Sequence, residues 1–353
     1  MRCLGGYGSL MDPFSVRGSL AWLGPGRLLE DPSVVVQNAR IAWVGPAAKA
    51  PDVEQLAGDW FLMPGVVDQH VHLGLSEPRA ILHGGVTAVR DLGWRPQDIF
   101  PVVDISVGTD FEGPAVSAVG PMITAVGGYP SRAGWAPAGA AIEVDGAEEA
   151  AEAVTRIAAD DPVAVKVALN ADAGPTLTDG ELLAVCDTAH ARQLPVVVHV
   201  QGAGQSERAL GAGADELAHC PWSERLSGDL VDALARTMKV VSTLDIHSYG
   251  QPTAELDVAV DNLRRFAAAG GSVLYGTDLG NGPIPPGIHV TEAVHLAAAG
   301  LSPEATLKAM TTEHLQPGAP ADLIGLASSP LDDLRALGRV RLVIRAGSVR
   351  RAG

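Results

Sequence analysis

The stretch Phe61-Leu-Met-Pro-Gly-Val-Val-Asp-Gln-His-Val-His-Leu73 carries two histidines, His70 and His72, at the end of an apolar run. In a strand, residues two apart point to the same face. Imidazole nitrogen suits zinc, so two rings on one side of a strand end can grip one metal ion. A bare His-x-His is equally a pair of partly buried, hydrogen-bonded histidines. The choice between these readings depends on whether other strands supply further ligands.

Outward from this stretch the chain alternates strand and helix. Short apolar runs recur at Met63–Leu73, Val86–Arg90, Ala115–Val119, Val163–Leu169, Pro195–Val200, Glu216–Cys220, Val240–Leu244 and Val273–Thr277. Helical patterns separate most of them, at Ala147–Ala159, Asp179–Arg192, Ser223–Met238, Glu255–Ala269 and Thr291–Ala299, followed by a capping-like Ser302-Pro-Glu. Such alternation favours parallel β-structure with right-handed crossovers. Eight units of this length match the α/β class and a (β/α)8 TIM barrel, whose reactive groups sit at the C-terminal ends of the strands.

Four more residues occupy such positions. Lys166 interrupts the otherwise apolar Ala164-Val-Lys-Val-Ala168, where a charged side chain is out of place. His199 ends the fifth run, His219 falls near the end of the sixth, and Asp278 follows the eighth. Each alone reads as a satisfied polar residue; their shared position at one end of five strands points to a common site.

The two chain ends have a different texture. Leu20–Leu23, Val34–Val36 and Ile41–Val44 are short strand patterns punctuated by Gly24-Pro-Gly26 and Gly45-Pro46, and Asp322–Leu326 and Val340–Ile344 repeat the pattern after Gln316-Pro-Gly-Ala-Pro320. The expected organisation is a small β-sandwich domain from residues 1–62 with 317–353, around a barrel domain at 63–316. Pairing partners do not follow from propensity, so two separate β appendages are the alternative.

Composition bounds the partners. A chain of 353 residues with 47% hydrophobic and 19% charged residues is globular and long enough for one large domain plus a smaller one. A formal charge of −16 argues against nucleic acid and anionic membranes, which select for lysine and arginine. Cys3, Cys186 and Cys220 fit neither a disulfide framework nor a cysteine zinc site, which points to a reducing, cytoplasmic setting. Met1–Gly8 lacks the apolar core of a signal peptide, so an unexported protein acting on a small-molecule substrate is expected. Self-association into a homo-oligomer stays open.

Taken together, these motifs resemble the amidohydrolase superfamily of metal-dependent hydrolases, in particular its imidazolonepropionase-like and Xaa-Pro dipeptidase-like group. The likeness is carried by Met63-Pro-Gly-Val-Val-Asp-Gln-His-Val-His72, Gly85-Val-Thr-Ala-Val-Arg-Asp-Leu-Gly93, the Lys166 run, Val198-His199, Leu217-Ala-His219, Gly276-Thr-Asp278 and Pro317-Gly-Ala-Pro-Ala-Asp322. The resemblance implies two divalent metal ions, with zinc as the expected identity. One is held by His70, His72 and Asp278 and the other by His199 and His219, bridged by a carbamate that Lys166 forms with carbon dioxide. It implies a metal-bound hydroxide as nucleophile and Asp278 as general base and acid in hydrolysis of an amide, peptide-like or cyclic amide bond, rather than deamination. A lactone or ester hydrolase on the same metals, and a barrel that holds metal without turnover, are the alternatives.

Substrate contacts are expected from four residues. Gln201 lies two past His199 and so faces the same way, and His247 sits on the loop after the seventh run. Tyr129 and Trp135 would form an apolar wall from the loop after the third. Relatives often carry Gly-Gly-His-Gly where this chain has Gly127-Gly-Tyr-Pro130, and His or Tyr in place of Gln201, so this pocket is expected to differ from theirs. His83, His190, His289, His295 and His314, in or beside helical stretches, are read as surface or packing residues, and Cys220 as a packing residue.

Overall fold

The structure, a computed structural model, describes residues 12–353; Cys3 and the Met1–Gly8 segment lie outside them. Eight strand positions follow one another around a parallel ring: Val66–Val71, Val86–Asp91, Ala115–Ala118 continued by Met122–Ala125, Val165–Asn170, Val196–Gln201, Glu216–Leu217, Lys239–Val241 and Ser272–Leu274. The ring closes between its last and first members, where Gln69 N donates to Tyr275 O at 3.0 Å, Asp278 N to His70 O at 2.8 Å and His72 N to Leu279 O at 2.7 Å. All six residues of Val165–Asn170 are buried, as a barrel strand covered on both faces requires.

The third position is split. Ala115–Ala118 pairs with the second strand, whereas Met122–Ala125 pairs with the fourth, Met122 lying opposite Lys166. Between them Gly120 takes a positive φ of 74° and Pro121 has no N–H to donate, so the ladder bends here. The segment beyond it carries Tyr129 and Trp135 and returns through an added parallel strand, Ala141–Val144.

Helices cover the ring at Ala147–Ala158, Asp179–His190, Gly228–Thr237, Ala254–Ala268, Val290–Ala298 and Pro303–Ala309. Their starts are written locally: Thr178 and Glu181 form a reciprocal capping box, and Ser302 Oγ accepts from Ala305 N at 3.1 Å. The sequence pattern does not reveal the helices Pro78–His83, Pro96–Ser106 and Gln205–Gly211, two of which begin on proline.

Both chain ends enter one six-stranded sheet in the order Ser348–Ala352, Val340–Arg345, Leu323–Leu326, Phe61–Pro64, Leu20–Gly24, Arg27–Glu30. A four-stranded sheet of Arg40–Pro46, Pro32–Gln37, Phe14–Arg17 and Glu54–Ala57 comes from the N-terminal side alone. Side chains of both sheets, among them Val16, Val34, Leu62, Leu323 and Ile344, share one buried cluster.

The apolar run Met63–Leu73 is therefore two strands rather than one. Phe61–Pro64 pairs antiparallel with Leu323–Leu326 in the end sheet, and the barrel strand starts only at Val66. Gly65 is the break: a Cβ there would lie 2.0 Å from Thr87 Oγ1, and its N–H turns to Asp322 O at 2.9 Å. The last strands are also shorter than their apolar runs, ending at Leu217, Val241 and Leu274, because the chain leaves the ladder before the residues that face the mouth.

Candidate active site

His70 and His72 close the first barrel strand with Asp278 beside them from the loop after the eighth. Asp278 Oδ1 lies 3.2 Å from Nε2 of both rings, and all three residues are buried. These contacts lack hydrogen-bond geometry, so Oδ1 has no hydrogen-bond partner. His219 reaches the same space, its ring centroid 4.6 Å from that of His70, and His199 follows at 4.8 Å from His219. Lys166 enters from below, only 1% exposed, with its Nζ unpartnered.

The outward nitrogens of three rings are engaged. His70 Nδ1 meets Ala218 O at 2.8 Å, His72 Nδ1 meets Gly93 O at 3.1 Å, and His219 Nδ1 meets Thr243 Oγ1 at 2.8 Å. Donating Nδ1–H to these oxygens leaves Nε2 with its lone pair turned inward, the arrangement seen around metal-ligating histidines. His199 Nε2 is likewise buried without a partner. A buried polar atom without a hydrogen bond costs roughly 1–3 kcal/mol, so this cluster of orphans calls for a ligand. Nitrogen and carboxylate donors at this spacing fit a divalent ion.

The electrostatics run the same way for three of the four rings; at His72 burial is outweighed by Asp278, which raises the imidazole. Burial drives the His70 and His219 imidazoles well below their ordinary range and His199 down to about 3, the last helped by the Lys166 ammonium. Neutral rings have the lone pairs a metal needs. Burial resists ionisation of Asp278, yet His70 and His72 outweigh it and hold the carboxyl well below the usual range. Burial also lowers Lys166 to about 7, against the pull of Asp278, so a large fraction is free amine near neutral pH.

Backbone features hold these groups in place. Asp278 and Thr243 adopt positive φ values of 57° and 38°, sparsely populated for side-chain-bearing residues. Asp68 ties the first strand to the last, accepting from His70 N at 3.1 Å, Thr277 N at 3.0 Å and Thr277 Oγ1 at 2.5 Å. Asp91 accepts from Leu73 N at 2.7 Å and Gly93 N at 3.0 Å and so steadies the turn after His72.

The sequence profile of the amidohydrolase family matches residues 61–349. The chain belongs to the amidohydrolase family. This amidohydrolase is 50% identical over 57 residues to the imidazolonepropionase of Micrococcus luteus, an alignment that covers 16% of this chain and 14% of that enzyme. Its fold is similar to a putative prolidase from Bifidobacterium longum, with a TM-score of 0.82 and 25% identity over 98% of this chain and 97% of the other. A Xaa-Pro dipeptidase with methionine bound in its active site is similar at a TM-score of 0.81 and 20% identity, covering 96% of this chain and 99% of that one.

Around the buried cluster, this amidohydrolase has aromatic walls. Tyr129 stacks on His199 with centroids 5.0 Å apart, and Trp135 lies 4.7 Å from His72. His247 faces the site from a short 3-10 turn, its ring 4.3 Å from that of Trp222, and burial lowers it to about 4. Gln201 is not free: its carbonyl accepts from Asn170 Nδ2 at 2.8 Å, and its Nε2 donates to Asp172 Oδ2 at 3.2 Å.

Sequence reading missed Trp222, whose position three past His219 on the mouth-side loop is a usable signal. It also missed Asn281, which donates from Nδ2 to Asp278 Oδ2 at 2.9 Å. His289 and His295 do not reach the mouth; both turn to Asp245, at 2.6 and 3.2 Å. Cys220 is buried, with Sγ donating to Ala259 O at 3.1 Å, which fits a packing role.

Proposed function

We propose that this amidohydrolase is a binuclear metal-dependent hydrolase that cleaves an amide or peptide-like bond of a small molecule. The observation that carries this reading is the meeting of four inward-facing imidazoles, the Asp278 carboxylate and the unpartnered Lys166 Nζ in one buried space. His70, His72 and Asp278 hold one ion, and His199 and His219 the other. Zinc is the ion proposed, since imidazole and carboxylate donors suit it. When bound, the metals polarise the scissile carbonyl and acidify a water molecule to a pKa of about 7.

The chain's own residues do the rest. Lys166, as neutral free amine, attacks carbon dioxide through Nζ and loses a proton, and the carbamate anion so formed would be a ligand for the metals where an ammonium would repel them. Asp278 accepts a proton at its carboxylate from the attacking water and returns it to the leaving nitrogen. His247, Tyr129 and Trp135 wall the substrate; Gln201 acts indirectly, by holding Asn170 and Asp172. Cys186 and Cys220 are buried free thiols, and a reducing, cytoplasmic setting is the proposal that goes with them. Among the described residues no helix is long and apolar enough to cross a membrane.

Elemental analysis of protein purified without chelator tests the reading. About two divalent ions per chain are expected, and Lys166→Ala loses them, with partial return on adding a short carboxylate. Fewer than one ion per chain after growth with added zinc refutes it.

A further inference from the structure

Beside His72 lies a cavity of about 130 Å³ whose walls include Leu75, Tyr129, Trp135 and Asn281. An apolar cavity of about 150 Å³ holds one benzene molecule, so this space suits a single ring or a branched alkyl group. The two aromatic residues that carry polar atoms use them on each other: Trp135 Nε1 donates to Tyr129 OH at 3.2 Å. That contact spends the Trp135 N–H, leaving the two ring faces and the Tyr129 O–H for a ligand. Asn281 commits one Nδ2 hydrogen to Asp278, which leaves its carbonyl oxygen and a second N–H, both uncharged, as its contribution. Among the described residues, no lysine or arginine lines the cavity.

The rim extends this character outward. Leu75, Val126 and Tyr249, on the loops after the first, third and seventh strands, are 45%, 56% and 43% exposed. Gly282 lets the Tyr249 ring close in, since a Cβ there would sit 2.4 Å from its hydroxyl. The chain has only 15 aromatic residues other than histidine, Trp 6, Tyr 4 and Phe 5. Four of them, Tyr129, Trp135, Trp222 and Tyr249, stand around the histidine cluster and this rim. Apart from the proposed metals behind His72, a carboxylate seated here meets no cationic side chain of the lining and approaches a chain of formal charge −16.

We propose that the substrate bears one uncharged, benzene-sized apolar group next to the scissile bond, seated in the cavity between Leu75, Tyr129 and Trp135. The substrate class is thus small neutral amides with an aromatic or branched-alkyl substituent, rather than free dipeptides or acyl amino acids whose carboxylate would lie in that space. This rests on the metal-hydrolase reading above.

Calorimetric titration of the zinc-loaded full chain with three hydroxamic acids, which chelate zinc through one common group, separates the two ideas. Benzohydroxamate is expected to bind about tenfold or more tightly than acetohydroxamate, and 4-carboxybenzohydroxamate about tenfold more weakly than benzohydroxamate. Trp135→Ala narrows the phenyl-to-methyl ratio. Leu75→Lys, at a position 45% exposed, turns the carboxylate penalty into a gain. Equal binding of phenyl and methyl ligands, or wild-type preference for the carboxylated one, overturns the apolar subsite while leaving the metal reading intact. Failure of all three to bind zinc-loaded protein overturns the metal reading and the subsite with it.

Discussion

Asp278 is the residue on which most of the proposed chemistry converges. It belongs to no strand, has a positive φ of 57°, and its Oδ1 lies 3.2 Å from two imidazole nitrogens. An amide at this position still offers an oxygen to a metal but accepts no proton. Asp278→Asn is therefore expected to keep most of its zinc while kcat falls about a hundredfold or more, measured by elemental analysis alongside steady-state kinetics. An unchanged kcat would move proton transfer to another group. His247 is separable from it: Nε2 is buried without a partner and the ring packs on Trp222. His247→Ala is expected to lower kcat/KM on the best substrate with metal content preserved, whereas Gln201→Ala, which cuts Asn170 and Asp172 loose, acts through the order of the loop after the fourth strand. The histidines and Asp278 were legible because they stand at or just past the end of apolar runs, and Lys166, which the structure places second in its strand rather than at the end, because a lysine is out of place in an otherwise apolar run. Trp222 was missed, since a tryptophan after a proline has no periodicity that marks it and only its place three past His219 points to the mouth.

At the scale of elements, the turn Asp245–His247 is held by a network the sequence pattern does not show. Burial opposes ionisation of Asp245, but hydrogen bonds from His289, His295, Ser248 and the Gly250 N–H outweigh it and hold its carboxyl well below the usual carboxylate range. Glu292 adds to the anchor, accepting from Leu244 N at 2.9 Å and Asp245 N at 2.8 Å. A carboxyl depressed in the folded state stabilises above its unfolded pKa, about 3.9, and that contribution is lost as pH falls below it. Tm is expected to drop on acidification below about pH 4, and Asp245→Asn to start lower and show a shallower fall over the same range. Parallel curves for the two proteins would locate the acid sensitivity elsewhere. Gly65 sets another boundary: Gly65→Ala drives a methyl group into Thr87, and with no room for relief this costs roughly 1–3 kcal/mol, read as a lower denaturant midpoint.

Across the whole molecule, barrel and end sheets are joined through Phe61–Pro64, which pairs with Leu323–Leu326 on one side and with Leu20–Gly24 on the other. Removing residues 317–353 takes away three of six strands and leaves a buried apolar edge without partners. Such a chain is expected to aggregate or fail to accumulate, and a soluble truncated barrel with native circular dichroism would show that the sheet is dispensable. If the proposed zinc is bound, its removal should lower Tm of the intact chain, because an ion bound only by the folded state stabilises it by about 4 kcal/mol at a thousand times its Kd. Much of this architecture is already written in the order of residues. Alternation of apolar runs with amphipathic stretches sets the parallel barrel, because each period matches one element, and local signals such as Thr178–Glu181 and Ser302 fix helix starts. His70, His72, Lys166, His199 and Asp278 declare themselves as polar groups where solvation is lost. Tertiary structure alone decided the rest. That Met63 pairs with Ile324 rather than joining the barrel, that Gln201 is captured by Asn170 and Asp172, and that Leu75, Tyr129 and Trp135 enclose one cavity all depend on contacts between residues far apart in the chain. Such contacts are selected by shape and by hydrogen-bond satisfaction across the folded molecule, and no local pattern encodes them.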